Sequence, residues 1–168
     1  MTLKWRPMLS PDLPEIIRIA SHVHADFPER MEIFEEKRNL YPQGSLVLDG
    51  KEGIKGYLFA HPWLYKQIPP LDTFLQALPA DPDSFYIHDL ALLPDIQGSG
   101  QACILVSLLN DHAREKQFHY MSLVAVNNSS PFWQKVGFHK LQEPELHDKL
   151  LSYGSEALYM VKDLSSDF

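Results

Sequence analysis

Apolar and polar residues follow two different rhythms along the chain, and each rhythm predicts one kind of secondary structure. Between Leu13 and Val23, apolar residues recur every three or four positions, which predicts an amphipathic helix with one buried face. Ser10 and Pro11 precede this pattern and form a helix-start signal. Residues 85–92 are instead apolar on both faces of a strand, which is typical of an inner strand covered from both sides.

The same two rhythms divide the rest of the chain into an alternating series of elements. Further helices are predicted over residues 29–40, 101–116 and 132–136. Further strands are predicted over residues 3–8, 45–48, 53–61, 119–126, 138–141 and 157–164. This order predicts a mixed α/β fold in which helices flank a single sheet. Because no internal repeat or low-complexity linker interrupts the 168 residues, we expect one domain over residues 1–168.

One stretch of the chain fits neither rhythm well. Residues 62–83 contain five prolines, yet some of their apolar positions are spaced as in a short amphipathic helix. Those positions are Leu71, Phe74, Leu75 and Leu78. The stretch is either an excursion that forms part of a substrate lip or a packed connection with no further role.

A short polar loop with the sequence Gln-Gly-Ser-Gly joins the apolar strand to the helix that begins at Gln101. Free backbone N–H groups at a helix start can bind an anion, and glycine lets the anion approach closely. A nucleotide P-loop is excluded because no Gly-Lys-Ser/Thr sequence follows, and a dinucleotide fingerprint is excluded because its third glycine is missing. The pattern Gln/Arg-x-x-Gly-x-Gly/Ala does fit, with Gln97, Gly100 and Ala102 at its defined positions.

This pattern resembles the pyrophosphate loop of the GNAT superfamily, the Gcn5-related N-acetyltransferases. Residues 90–94 resemble the family's strand-to-loop segment, and Phe132-Trp133-x-x-x-Gly137-Phe138 resembles its aromatic-x-x-x-Gly-Phe signature. The order of predicted elements also matches, so the resemblance covers nearly the whole chain, with its specific motifs in residues 85–138. It implies the GNAT fold, a mixed sheet of six to seven strands that is splayed at the cofactor site, with four main helices.

The resemblance implies that acetyl-CoA is the co-substrate and indicates which residues hold it. The loop and helix start would bind the pyrophosphate through backbone N–H groups, and the pantetheine arm would pair with the strand as an added strand does. The residues implied in cofactor binding are Leu90, Ala91, Leu92, Gln97, Gly98, Ser99, Gly100, Gln101, Ala102, Asn127, Asn128, Ser130 and Phe132. Which of Asn127 and Asn128 contacts the cofactor is left open by the turn that contains them.

The same resemblance implies where acetyl transfer takes place. His88 resembles the histidine that arylalkylamine acetyltransferases carry on this strand, and it is the candidate general base. Tyr86, Asp89 and Tyr153 are further catalytic candidates. Tyr86 is expected on the same strand face as His88, and Asp89 on the opposite face. In the alternative interpretation, His88 and Asp89 are hydrogen-bonded structural residues of a buried strand.

The general acid is harder to assign, because Trp133 stands where the family usually has a tyrosine. An indole N–H donates a hydrogen bond but is not an acid near neutral pH. Either Tyr153 or Tyr159 protonates the leaving thiolate, or the thiolate leaves without help, as a thiol of pKa about 8.5 permits. Alternatively, Trp133 is an ordinary core residue on a helix face.

Composition narrows the partners. The net charge of −7 argues against nucleic-acid binding, which needs a basic face, and is compatible with a cationic amine. No long apolar run predicts a membrane span and no segment resembles a signal peptide, so we expect a cytoplasmic protein.

Cys103 is the single cysteine, so an intrachain disulfide is excluded, and we expect its side chain to be a buried, inert thiol. The histidines show no metal-ligand spacing, so no metal is expected, and a homodimer is compatible with the sequence.

Two functions follow from these observations. The first is an acetyl-CoA-dependent N-acetyltransferase that acetylates a primary amine of a small molecule, or of a peptide, by direct attack in a ternary complex. The second is a non-catalytic module with the same fold that binds or senses acyl-CoA. A titratable group within reach of the thioester would distinguish the first function from the second.

Overall fold

The computed structural model describes residues 2–165. Its helices are α1 (Leu13–Val23), α2 (Met31–Leu40), α3 (Gln101–Glu115), α4 (Ser130–Lys135) and α5 (His147–Leu151). Its strands are β1 (Lys4–Pro7), β2 (Ser45–Gly50), β3 (Gly53–Trp63), β4 (Ser84–Leu92), β5 (Tyr120–Ala125), β6 (His139–Lys140) and β7 (Leu158–Asp163). None of the helices in this range is both long and apolar enough to cross a membrane.

The strands form one mixed sheet of seven in the order β1-β2-β3-β4-β5-β7-β6. Neighbouring strands are antiparallel except for β4 and β5, which are parallel. A parallel pair needs a crossover connection, and α3 provides it between β4 and β5. The expectation of an α/β fold built on a single mixed sheet is therefore confirmed.

Helices cover both faces of this sheet. On one face, α1 and α2 bury Leu13, Ile16 and Phe34 against Val47 and Phe59. On the other face, α3 buries its apolar stripe, which consists of Leu105, Val106, Leu109 and Ala113. Because successive strand residues point to opposite faces, the inner strands must supply side chains to two separate cores. This requirement explains why β4 is apolar on both of its faces.

The parallel pair of strands is short, and this shortness makes room for a site. β4 pairs with β5 only as far as Ile87, although β4 itself continues to Leu92. On its other edge, Asp89 pairs with Phe59 while Ile87 pairs with the next residue of β3, which leaves His88 as the extra residue of a β-bulge. A bulge bends its strand and increases the local twist. The two strands separate beyond Ile87, and the expected splay is confirmed.

The proline-rich stretch forms no helix, so the prediction made from its apolar spacing is wrong. Residues 64–83 run as an irregular segment in which Asp72 and Gln76 have left-handed backbone conformations. Side chains of other elements satisfy its backbone groups, and the Glu36 carboxylate accepts hydrogen bonds from the N–H groups of Leu75 and Gln76 at 2.7 and 2.9 Å. These bonds replace the ones that a helix would have supplied.

The short helix α5 is one helix more than the resemblance implies. Leu146, immediately before α5, and Leu150 within it pack with Ile68 of the irregular segment and with Tyr153. The contact forms a third core cluster beside β7. It brings the segment that carries Tyr153 towards the place where β4 and β5 separate.

A close approach of two backbone segments yields a test of this packing. A Cβ atom added at Gly44 would lie 1.9 Å from the carbonyl oxygen of Ala60 on β3. Since backbone atoms cannot yield as a side chain can, we expect Gly44→Ala to lower the free energy of unfolding by about 3 kcal/mol in urea titrations. Gly50→Ala is the matched control, because its nearest new neighbour is the end of the flexible Leu3 side chain at 2.9 Å. Equal losses in the two variants would contradict the described contact.

Candidate functional site

A groove of about 560 Å³ lies where β4 and β5 separate. One wall is the outer part of β4, and the opposite wall comes from β5 and the turn that follows it. The loop before α3 closes one end of the groove. The sheet therefore provides an elongated slot with backbone on both sides rather than a round cavity.

The glycine loop presents bare backbone to this groove. Gly98 and Gly100 have φ angles of 81° and 89°, in the left-handed region that favours glycine. A Cβ atom at either position would meet no atom within 4 Å, so it would project into open space. The first N–H groups of α3, at Gln101 and Ala102, have no acceptor within the helix. Gln97 fixes the loop, since its side-chain amide donates to the Leu92 carbonyl at 3.1 Å.

Nine of the residues implied in cofactor binding line the groove, and four do not. The lining residues are Leu90, Leu92, Gln97, Gly98, Gly100, Gln101, Ala102, Asn127 and Phe132. Ala91 is buried in the core, while Ser99, Asn128 and Ser130 lie outside the lining, where Ser129 is present instead. Of the two asparagines, Asn127 faces the groove, and its amide nitrogen lies 3.2 Å from Nδ1 of His24.

His88 forms a buried pair with a carboxylate from another part of the chain. Its Nε2 donates to Oε1 of Glu29 at 2.9 Å, and the two side chains are 0% and 4% exposed. Burial alone would raise the pKa of Glu29, but attraction to His88 and the hydrogen bond from it lower that pKa to about 2, with help from Lys37. Because the Glu29 carboxylate accepts from Nε2, the neutral ring leaves Nδ1 as its proton acceptor. Nδ1 has no hydrogen-bond partner among the described residues.

Asp89 forms a second polar cluster beside this pair. Its carboxylate accepts hydrogen bonds from the Tyr57 hydroxyl at 2.7 Å and from Nε2 of His24 at 2.9 Å. Burial would lower the pKa of His24, but the attraction and hydrogen bond to Asp89 raise it above its usual value. No group of three or more His, Cys, Asp or Glu residues within residues 2–165 has the arrangement to hold a metal ion.

The expectation that Asp89 lies on the strand face opposite His88 is wrong. Both residues line the same groove and the same small cavity at its end. The alternation of side chains along a strand holds only for regular pairing, and the bulge at His88 interrupts it. The two polar clusters therefore meet at one place.

None of the three candidate tyrosines lines the groove itself. Tyr86 is fully buried, with its ring centroid 6.2 Å from that of His88, and it lines neither the groove nor the small cavity. Tyr153 does line the small cavity, but its hydroxyl donates to the Pro69 carbonyl, and burial raises its pKa. Tyr159 lies in the third core cluster, where its hydroxyl accepts from the backbone N–H of Lys66 at 2.9 Å.

Trp133 and Cys103 differ from each other in how they meet the groove. Trp133 is a core residue with one edge at the groove, and its ring packs edge-to-face with Phe132 and Phe138 at centroid distances of 5.0 and 5.5 Å. Cys103 is exposed on the groove wall, so the expectation of a buried thiol is wrong. It lies two residues before the buried Leu105, and two residues along a helix point to nearly opposite sides.

Sequence reasoning missed the partners of the two strand residues. Glu29 was expected only as the start of a helix, and it lies 59 residues from His88 along the chain. His24 and Tyr57, which hold Asp89, come from α1's C-terminal end and from β3. No spacing rule connects residues so far apart, and only the packing of the α1–α2 connection over β4 brings them together.

Comparisons with known proteins identify the family of the chain and proteins that share its fold. The model of the acetyltransferase (GNAT) family matches residues 8–138. A search of curated proteins finds no significant match. Among solved structures, the loading GNATL domain of CurA from Lyngbya majuscula has a TM-score of 0.80 at 14% identity, covering 99% of this chain and 100% of that one.

Two further solved structures share the fold at similarly low identity. The ribosomal-protein-S18-alanine N-acetyltransferase from Escherichia coli has a TM-score of 0.66 at 14% identity, covering 97% of this chain and 94% of that one. The N-acetylglutamate synthase from Neisseria gonorrhoeae, complexed with coenzyme A and N-acetyl-glutamate, has a TM-score of 0.71 at 18% identity. The match covers 98% of this chain but 35% of the synthase. With the family model matching most of its length, this chain belongs to the GNAT acetyltransferase family, whose co-substrate is acetyl-CoA.

Proposed function

We propose that this protein transfers the acetyl group of acetyl-CoA to a primary amine of a small molecule, with His88 as the general base. The observation that carries the proposal is a single groove with the glycine loop at one end and the buried His88–Glu29 pair at the other. The same family chemistry is compatible with a peptide amine as the acceptor. A titratable group within reach of the thioester would distinguish this function from the non-catalytic alternative, and His88 is among the residues that line the groove.

The residues at the glycine loop fit a diphosphate group. Bare backbone at Gly98 and Gly100, followed by the N-terminus of α3, offers N–H donors and the positive end of a helix dipole. Beyond Ile87, the edge of β4 that faces β5 is unpaired. This edge can bind an extended pantetheine arm as it would an added strand. Bound acetyl-CoA supplies a thioester acetyl group, which passes to the amine nitrogen as the C–N bond forms and the C–S bond breaks.

His88 removes the proton that the amine nitrogen must lose. Its Nδ1 is buried and has no hydrogen-bond partner among the described residues, and it is the ring atom that accepts this proton, because Nε2 already donates to Glu29. The ionised Glu29 then stabilises the imidazolium that forms and holds the ring in one orientation. Glu29 is in this sense a positioning residue for His88.

Within the described residues, none of the three candidate tyrosines directs its hydroxyl towards the groove to protonate the thiolate. The Tyr153 proton is directed at the Pro69 carbonyl, and Tyr86 and Tyr159 do not line the groove. The CoA thiolate therefore leaves without a protein acid and takes its proton from water, which a thiol of pKa about 8.5 allows at modest cost. Asp89 acts indirectly, by fixing His24 in the groove wall and by accepting a hydrogen bond from the buried Tyr57.

The first test concerns the glycine loop. We expect Gly100→Ala to weaken CoA binding at least about tenfold in calorimetric titrations, because its Cβ fills the cradle and its left-handed backbone costs about 1 kcal/mol. Gly53→Ala is the matched control. Gly53 also has a positive φ, of 114°, and open space at its Cβ, but it is the first residue of β3 and does not line the groove. If both variants lose CoA affinity equally, the loop does not hold the pyrophosphate.

The second test concerns the base. His88→Gln is expected to lower kcat by about 10²–10³-fold, while the Kd for CoA stays within about twofold, since general-base catalysis contributes on this scale. The acid limb of the pH–rate profile should also disappear. His139→Gln, which replaces an exposed histidine on β6, should leave both kcat and the profile unchanged. An unaltered profile in His88→Gln would remove His88 as the base.

The third test concerns the ion pair. The lowered pKa of Glu29 means that its ionisation stabilises the fold above the ordinary pKa of 4.5, and that this stabilisation is lost as the pH falls towards 2. We expect the Glu29 carboxyl carbon to report an ionised group at pH 3 in NMR titrations. In His88→Gln, burial without the partner should move its titration above the ordinary pKa of 4.5. The exposed Glu35 serves as the internal control, and matching titrations of the two glutamates would contradict the pair.

A further inference from the structure

We infer that the acceptor is a primary amine on an unbranched alkyl chain, with no carboxylate near the amino group. This inference rests on the proposed acetyl transfer. We further infer that Phe27 limits its width. The inference comes from a small cavity of about 40 Å³ that continues the groove beyond the glycine loop and the outer part of β4. His24, His88, Asp89, Val124 and Val126 line both spaces, so a group in the cavity reaches the end of the groove directly.

The volume of the cavity limits the shape of the acceptor. It accommodates about three water-sized groups, which is enough for an amino group and the first carbons of an unbranched chain. The N-terminus of a peptide brings a substituted α-carbon and a carbonyl within that distance, and both make it wider. The cavity therefore favours a simple alkylamine over a peptide N-terminus.

The charges around the cavity define the head group. The Glu29 carboxylate is itself part of the cavity lining, and its lowered pKa keeps it ionised, so an entering ammonium group meets a negatively charged acceptor. Neither Lys nor Arg lines the cavity within the described part of the chain. Both of its histidines already donate to carboxylates, so an acceptor carboxylate would have no partner. This arrangement disfavours the α-amino group of an amino acid.

Apolar side chains form the rest of the wall and set its width. The walls that face the polar clusters are Phe27, Leu71, Val124 and Val126. The Phe27 ring packs against the bare backbone of Gly154, where an added Cβ would lie 3.1 Å from the ring's Cζ. A side chain at position 154 would crowd the Phe27 ring, so the glycine leaves room for the ring in the cavity wall.

Hydrogen bonds hold the irregular segment in place next to Leu71, the residue that it contributes to the cavity wall. The N–H of Asp72, next to Leu71, donates to Oε2 of Glu29 at 2.9 Å. The Asp72 carboxylate in turn accepts from the Arg30 guanidinium at 3.1 Å. A wider acceptor would have to displace Leu71 against these bonds or move Phe27. Phe27 has the larger side chain of the two and is backed by the Gly154 backbone, so it is the side chain that limits width.

A panel of amines tests the inference on the full chain with saturating acetyl-CoA, following thiol release. We expect kcat/KM for butylamine to exceed that for sec-butylamine, alanine and a tripeptide with a free N-terminus by at least about tenfold. Calorimetry on the CoA complex should show the same order of amine binding. In Phe27→Ala, sec-butylamine should gain at least about tenfold in kcat/KM, while butylamine changes less than about threefold.

Controls separate this inference from the proposed function. Phe74→Ala removes a ring of the irregular segment that lies over Arg30 outside the cavity, and it should leave the ratio of the two butylamines unchanged. Leu71→Ala widens the same cavity and should act like Phe27→Ala if that variant does not fold. Acetylation that prefers alanine or the peptide, or an unchanged ratio in the widened variants, overturns the acceptor class alone. Thiol release with none of the amines overturns the proposed function itself.

Discussion

The site exists because β4 and β5 do not stay paired beyond Ile87. If they did, their backbone N–H and C=O groups would satisfy one another, and no groove would lie between them. The unpaired edge of β4 is instead left for an extended ligand, in the same way that an open sheet edge accepts an added strand. The bulge that bends β4 at this point also carries His88, so the feature that opens the groove places the candidate base at its end.

The buried pair of Glu29 and His88 is the second constraint, and it connects distant segments. A buried charge is stable only when its partners compensate for lost solvation, and removing one partner costs about 3–5 kcal/mol. Glu29 meets this need with both oxygens, one towards His88 and one towards the Asp72 N–H. A single carboxylate therefore holds the base of the proposed reaction and the segment that forms the acceptor wall. A change in the position of His88 is therefore expected to shift the segment at Asp72, and a change in the segment is expected to shift His88.

Local signals predicted the fold and the glycine loop that lines the groove, because that information is local in the chain. The strand, the loop from Gln97 and the start of α3 are consecutive in the chain. Gly100 has a left-handed backbone conformation that favours glycine, so this requirement is visible in a short sequence motif. The end of the groove that holds the candidate base depends on contacts between residues that lie far apart in the sequence. Glu29 reaches His88 only through the packing of the α1–α2 connection, and the bulge that turns Asp89 to the same side has no sequence signal of its own.

In the proposed reaction the candidate base is held by Glu29 and no acid is assigned among the described residues, which matches the relative difficulty of the two proton transfers. An alkylamine with a pKa near that of lysine, about 10.4, is almost entirely protonated at neutral pH, whereas a thiol titrates at about 8.5. Removing a proton from the amine is therefore the harder step, and the leaving thiolate needs little assistance. The negative charge of Glu29 attracts the ammonium form and would by itself hinder its deprotonation. In the proposed reaction His88, which lines the same cavity as Glu29 and is hydrogen-bonded to it, resolves this conflict by taking the proton from the ammonium group, so that the net charge of the site stays constant.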